Sequence, residues 1–229
     1  RLGCKPIDFQ IATSSVNKGE TFYDTVKTFA SFGVDALVVR SAQNEWYQEL
    51  KNIKTPLINA GDGTQDHPTQ TLLDLLTIKQ EFGKFKGLKV LVVGDIKHSR
   101  VAHSNIEVMR RLGMDVMISA PKEFQDHEYE YTDFDKAVKS ADVINLLRIQ
   151  NERLTEKMKI SINAYNTQYG LNAQRVKLMK PNAIIIHPAP FNRNVEINDD
   201  IVECKQARIF KQMENGVYVR MAVIARALK

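Results

Sequence analysis

The chain has 229 residues, 43% of them hydrophobic, which suits one large or two smaller domains with buried cores. Its 32 basic and 27 acidic residues leave a net charge of +5 that is dispersed along the sequence, so a nucleic-acid surface is disfavoured and a site for small anions is not. No apolar run is long enough to span a bilayer, no signal-like segment precedes the first strand, and Cys4 and Cys204 have neither metal-ligand nor disulfide-framework spacing, so a reduced, cytoplasmic setting without membrane contact is expected.

The chain opens on RLGCKPIDF, which reads as a helix end running into a strand over 6–12, with Ser14 and Lys18 following it. A helical pattern covers 20–32, and the strand DALVVR (35–40) ends in Arg40. NEWYQELKN (44–52) reads as a second helix, and PLINA (56–60) as the next strand. Then comes NAGDGTQDHPTQTLLDLL (59–76), where a glycine-bracketed turn leads into His67 and Pro68 at the head of an apolar helix. Proline suits the first helical position, where its missing N–H costs nothing. Leu72, Leu73, Leu75 and Leu76 are expected to anchor this helix in a core.

Past the link EFGKFKGLKV, strands are expected at 88–95, 115–121, 141–148 and 183–188, with helices over 99–112 and 134–140 between them. The strand 141–148 closes on Arg148, with Gln150 two residues on; AIIIHP (183–188) runs into the turn HPAP (187–190). A final amphipathic helix covers 216–229. Near-continuous apolar strands alternating with helices indicate α/β architecture with two doubly wound parallel sheets, divided at or just inside the Pro68 helix.

In open parallel sheets, ligands bind beyond the carboxyl ends of strands. The residues there are Ser14, Lys18, Arg40, His67, Gln70, Arg100, Arg148, Gln150 and the HPAP turn. Any one arginine reads as an ordinary surface residue with an apolar stem. Several that share one crevice imply a polyanion or two anionic ligands, because guanidinium binds carboxylate and phosphate through paired hydrogen bonds. His67 and Gln70 share a face of the first helical turn. The free N–H groups and positive dipole end there suit anions and lower a histidine's pKa. The alternative is a histidine that merely packs over the turn.

VGDIKHSR (93–100) lacks both the GxGxxG and the GxxxxGK[ST] pattern, so dinucleotide and P-loop binding are disfavoured; Ser99 is a candidate cap. His67, His98, His103, His127 and His187 show no HExxH spacing, no GxSxG elbow occurs, and neither cysteine has a neighbouring base. No covalent intermediate is expected.

Taken together, SSVNKGETFYDT (14–25), LVVR (37–40), NAGDGTQDHPTQTLLDL (59–75), VGDIKHSRVAHSN (93–105), LLRIQNER (146–153), HPAPFNR (187–193) and FKQMENGVYVRMAVI (210–224) resemble the aspartate carbamoyltransferase catalytic chains, most closely the bacterial type. HPTQ, in place of HPCQ, and HPAP, in place of a cysteine-bearing turn, separate the chain from ornithine carbamoyltransferases. The resemblance implies carbamoyl transfer from carbamoyl phosphate to the amine of L-aspartate in pyrimidine biosynthesis, with no metal or organic cofactor. It implies a carbamoyl-phosphate domain at 1–67 with 216–229 and an aspartate domain at 68–215. Arg40, His67 and Gln70 would hold carbamoyl phosphate, with the backbone of Ala189 and Pro190, joined by a cis bond, at its amide end. Arg100, Arg148 and Gln150 would hold aspartate. Ser14 and Lys18 would reach a neighbouring subunit's site in a homotrimer.

Three departures from the family pattern stand out. The chain begins after the family's Ser-Thr-Arg-Thr phosphate segment, so the first domain is expected to be incomplete and these residues alone nearly inactive. Ser41-Ala42 replace His-Pro, and Phe191 and Asn194 are unusual in the HPAP loop. Two rivals remain: a carbamoyltransferase with a different amine acceptor, and a non-catalytic scaffold subunit.

Overall fold

The computed structural model describes residues 2–9, 19–149 and 161–229. Helix α1 (Phe22–Ser31) starts at Thr21, whose hydroxyl accepts the Asp24 N–H at 3.1 Å. Strands β1 (Leu37–Ser41) and β2 (Leu57–Asp62) pair in parallel, with Val38 opposite Ile58. Val26, Trp46 and Leu50 form a small core beneath them.

The larger sheet is also parallel, in the order β4–β3–β5–β6: β3 is Lys89–Val93, β4 Asp115–Ser119, β5 Val143–Leu146 and β6 Ile184–Ile186. Alternate residues serve opposite faces. Val90, Val92, Val143, Ile184 and Ile186 join one apolar cluster, and Leu91, Val93, Ile144, Leu146 and Ile185 join the other. Burial on both faces explains why these strands read as unbroken apolar runs. Because all strands run the same way, the segments after β3, β5 and β6 emerge at one end.

Helix α2 (Pro68–Phe82) ends at Gly83, whose φ of 68° is the left-handed conformation that glycine adopts without a Cβ penalty. Helix α3 (Arg100–Arg111) follows β3 and is capped, as expected, by Ser99. After α4 (Phe134–Ala137), helices α5 (Ile162–Tyr169) and α6 (Ala173–Leu178) precede β6, and α7 (Ile209–Ala227) packs along α2. Asn215 donates to Thr77 Oγ1 at 2.9 Å and to Gln80 Oε1 at 2.8 Å across that packing. No described helix is long and apolar enough to cross a membrane.

Four expectations are corrected. Residues 6–9 form no strand, and Ile7 and Phe9 are exposed: among the described residues no neighbouring strand supplies hydrogen bonds there. The helix expected over 44–52 is one 3₁₀ turn, Trp46–Gln48, entered through Glu45 in the left-handed region at φ 51°. Helices α5 and α6 were not foreseen; they are short, eight and six residues, and polar residues such as Asn163, Asn166 and Gln174 interrupt any apolar stripe, although Ser161 and Asn172 cap them. Leu72 does not anchor α2 but is exposed, while Asp74 is fully buried.

Candidate functional site

Two short polar links fix the head of α2. The His67 N–H donates to Ser104 Oγ on α3 at 2.8 Å, and the Ser104 hydroxyl lies 3.2 Å from Asp66 Oδ1. The Asp66 N–H donates to Asp62 Oδ1 at 2.6 Å, and the Glu45 N–H donates to Asp62 Oδ2 at 3.1 Å. Burial and the nearby Asp62 charge push the Asp66 carboxyl up from its ordinary range. His103 adds a bolt between α3 and the same loop, donating from Nδ1 to the Thr64 carbonyl at 2.7 Å. The His67 backbone is thus held by α3 and by the end of β2 together.

The His67 side chain makes no cap hydrogen bond, and its Nδ1 is buried without a partner. Its pKa is lowered to about 4, first by burial and then by the positive charges of Arg100, Arg40 and Arg220. A neutral imidazole is therefore present at physiological pH. The direction agrees with the sequence reading, but the dominant cause is desolvation rather than the helix dipole.

Arg40 and Arg100 thus meet at His67 from different elements. Arg40 is the penultimate residue of β1 and is exposed; Arg100 opens α3 and is half-buried, its pKa held down by burial and by Arg40. Gly61 makes room for it. At φ +122°, a Cβ on Gly61 would lie 3.0 Å from the Arg100 guanidinium carbon, so the backbone of β2 serves as the surface under that group. Arg148 follows β5 at the same end of the large sheet and is half-buried. Ser14, Lys18 and Gln150 lie outside the described residues. His98 Nδ1 lies 2.9 Å from Asp95 Oδ1.

Gln70 lines a cavity of about 220 Å³ with Leu73, His187, Pro188, Gln212 and Arg220. The Ala189–Pro190 bond is cis, and Ala189 has φ 54°. The Ala189 N–H donates to His187 Nδ1 at 3.0 Å, which leaves the ring proton on Nε2, 3.3 Å from the buried Glu196 Oε1. Glu196 also accepts the Asn192 N–H at 2.6 Å, and Asn192 Nδ2 donates to the Ile149 carbonyl at 2.7 Å. The turn after β6 is therefore tied to the segment that carries Arg148. Asn194 takes φ 60°, a conformation asparagine tolerates.

Sequence reading missed Ser104, Asp74, Gln212 and Arg220. Asp74 stands four residues after Gln70 on the same helical face, a spacing that signals a partner. Gln212 and Arg220 lie within the quoted stretch 210–224, but no residue of that stretch was assigned a role.

Two family descriptions match this chain: the carbamoyl-P binding domain of aspartate/ornithine carbamoyltransferases over residues 1–80, and their Asp/Orn binding domain over 86–227. The aspartate carbamoyltransferase catalytic subunit of Limosilactobacillus reuteri subsp. reuteri (strain JCM 1112) is 49% identical over 238 residues, an alignment covering 100% of this chain and 77% of that one. Among solved structures, aspartate transcarbamoylase from Trypanosoma cruzi in complex with carbamoyl phosphate and aspartate is 29% identical with a TM-score of 0.81, covering 95% of this chain and 73% of that one. The same enzyme in complex with N-(phosphonacetyl)-L-aspartic acid is 30% identical with a TM-score of 0.83, over the same shares of the two chains.

Proposed function

Since the chain belongs to the aspartate/ornithine carbamoyltransferase family, we propose that its site transfers the carbamoyl group of carbamoyl phosphate to the amine of L-aspartate, giving N-carbamoyl-L-aspartate and phosphate. This is the reaction of a biosynthetic enzyme in pyrimidine synthesis, and we place it in the cytoplasm. The observation that carries the reading is the meeting of Arg40, Arg100 and Arg220 around one neutral, half-buried imidazole.

In this mechanism His67 and Arg40 lie against the carbamoyl phosphate, with His67 on the carbonyl oxygen. Attack by the aspartate amine forms the C–N bond and puts negative charge on that oxygen. A neutral imidazole N–H and a guanidinium are donors fixed in place before the charge appears, and such preorganisation lowers the barrier. Collapse then breaks the bond from carbon to the bridging oxygen, phosphate departs with the electron pair, and it takes the proton lost by the amine. No protein nucleophile takes part.

Gln70 with the backbone of Ala189 and Pro190 reads the carbamoyl amide. Arg100 and Arg148, with Gln150, hold the two carboxylates of aspartate; two guanidiniums favour a dicarboxylate over a cationic acceptor. We assign residues 1–67 and 216–229 to the carbamoyl-phosphate half and 68–215 to the aspartate half, with α2 at their junction. Ser14 and Lys18 complete a neighbouring subunit's site in a homotrimer.

The test is calorimetric binding of a bisubstrate analogue joining a phosphonate to aspartate, using the full-length protein and Arg148→Ala. Expected is tight binding that Arg148→Ala weakens by ten-fold or more, roughly the worth of one charge-assisted hydrogen bond. Unchanged binding in that variant would refute the assignment of Arg148, and absence of binding by the unsubstituted protein would refute the site.

A further inference from the structure

Asp74 is a carboxylate in the middle of a core helix, with no exposed surface. Gln70 Nε2 donates to its Oδ1 at 2.8 Å, Gln212 Nε2 donates to the same oxygen, and Asn105 Nδ2 donates to Oδ2 at 2.7 Å. The Gln212 amide oxygen in turn accepts the His187 N–H at 2.9 Å. One buried group therefore joins α2, α3, α7 and the turn after β6.

A carboxylate only accepts hydrogen bonds. A primary amide beside it must present its N–H end to the carboxylate and turn its oxygen away. For Gln212 that oxygen takes the His187 N–H. Gln70 has its N–H end engaged in the same way and lines the cavity, so the end it can offer a ligand there is an acceptor. At the wall where Gln70 stands, beside His187 and Pro188 of the turn, that acceptor favours a ligand bearing N–H donors, while Arg220 on the same lining suits an anionic group.

We infer that Asp74 is a positioning residue that sets the polarity of Gln70 and, through Gln212, anchors the turn at 187–190, so that the site distinguishes a carbamoyl from an acetyl phosphate. The inference rests on the assignment of Gln70 to the carbamoyl end of the substrate. The two acyl phosphates have nearly the same shape and charge; only the carbamoyl group has N–H donors. Burying an unpaired carboxylate to hold up a helix would destabilise the fold, whereas an apolar residue of similar size would pack there at less cost. Asp74 therefore has a use that packing does not supply.

The readout is selectivity: the inhibition constant of acetyl phosphate divided by the KM of carbamoyl phosphate. Asp74→Ala is expected to lower this ratio about ten-fold, near the worth of one hydrogen bond, with the aspartate KM within about two-fold. Asp74→Asn keeps one acceptor oxygen for Gln70 and Gln212, and the Asn105 amide can rotate to receive its NH₂, so most of the selectivity returns. Asn105→Ala also removes one hydrogen bond to Asp74 but lies outside the link to the cavity, so the ratio stays unchanged.

A folded Asp74→Ala protein with unchanged selectivity overturns the inference, as does an Asn105→Ala protein that loses as much. Should Asp74→Ala fail to fold, Gln212→Leu decides instead: it cuts the anchor to His187, and an unchanged ratio there also overturns the inference. Gln70→Ala separates this inference from the one beneath it. If Gln70→Ala lowers selectivity and Asp74→Ala does not, only the role of Asp74 fails. If Gln70→Ala has no effect, the assignment of Gln70 fails as well.

Discussion

His67 is a side chain whose surroundings decide its chemistry. Free in an unfolded chain it titrates near 6.5; folded, it titrates at about 4 because burial and Arg100, Arg40 and Arg220 oppose its protonation. Between those two values the unfolded chain binds more protons than the folded one. His67 therefore contributes stability above pH 6.5 that is lost as pH falls towards 4. Denaturant midpoints should fall more steeply for the unsubstituted protein than for His67→Gln between pH 6.5 and 4.5, and parallel curves would show that His67 is not depressed. For the reaction, His67→Ala should lower kcat by about 10²-fold or more, the usual cost of losing one donor to a developing oxyanion. Gly61 makes a complementary prediction. A methyl at position 61 meets the Arg100 guanidinium at 3.0 Å and sits at an unfavourable φ of +122°. Gly61→Ala should raise the KM of aspartate about ten-fold while the KM of carbamoyl phosphate moves less, as steady-state kinetics with each substrate varied would reveal.

At the scale of elements, the head of α2 is rigid because α3 grips it. Ser104→Ala leaves the His67 N–H without its acceptor, and an unmet buried donor costs about 1–3 kcal/mol. The expected outcome is a lower guanidinium midpoint together with a reduced kcat, since the imidazole is carried on that backbone. The middle of α2 behaves differently with pH. Burial raises the Asp74 pKa from 3.8 to about 6, so the folded chain binds more protons between those values. Its contribution to stability is present below pH 3.8 and lost as pH rises through 6, by up to about 3 kcal/mol. Melting curves of Asp74→Asn should accordingly gain on the unsubstituted protein between pH 4.5 and 6.5. The head and the middle of α2 also mark how far the sequence could be read. Pro68 at the first position, the apolar run behind it and the residues at strand ends located His67, Gln70, Arg40 and Arg100. A polar residue within a helix gives no sign of whether it faces water or a partner in another helix. Leu72 was accordingly placed in the core and is exposed, whereas Asp74, Gln212 and Ser104 are buried polar groups whose partners lie 31 to 138 residues away in sequence.

For the whole molecule, parallel strand order brings the ends of β3, β5 and β6 together, and α7 returns from the end of the chain to lie along α2. That return explains why Arg220 reaches the His67 site although 153 residues separate them (220 less 67). One part of the proposed site would come from a second copy of the chain. If Lys18 serves a neighbouring subunit, Lys18→Gln and His67→Ala should each cut turnover about 10²-fold or more in homogeneous assemblies. Mixed and reassembled, they should restore it. A site regains both groups when its His67 comes from a Lys18→Gln subunit and its Lys18 from a His67→Ala neighbour. With equal and random mixing in a closed ring, about one quarter of sites meet that condition. Activity near a quarter of the unsubstituted level would support a shared site. If each site were built within one subunit, no combination of the two defective chains would contain a complete one, and the mixture would stay at the low level of the variants alone.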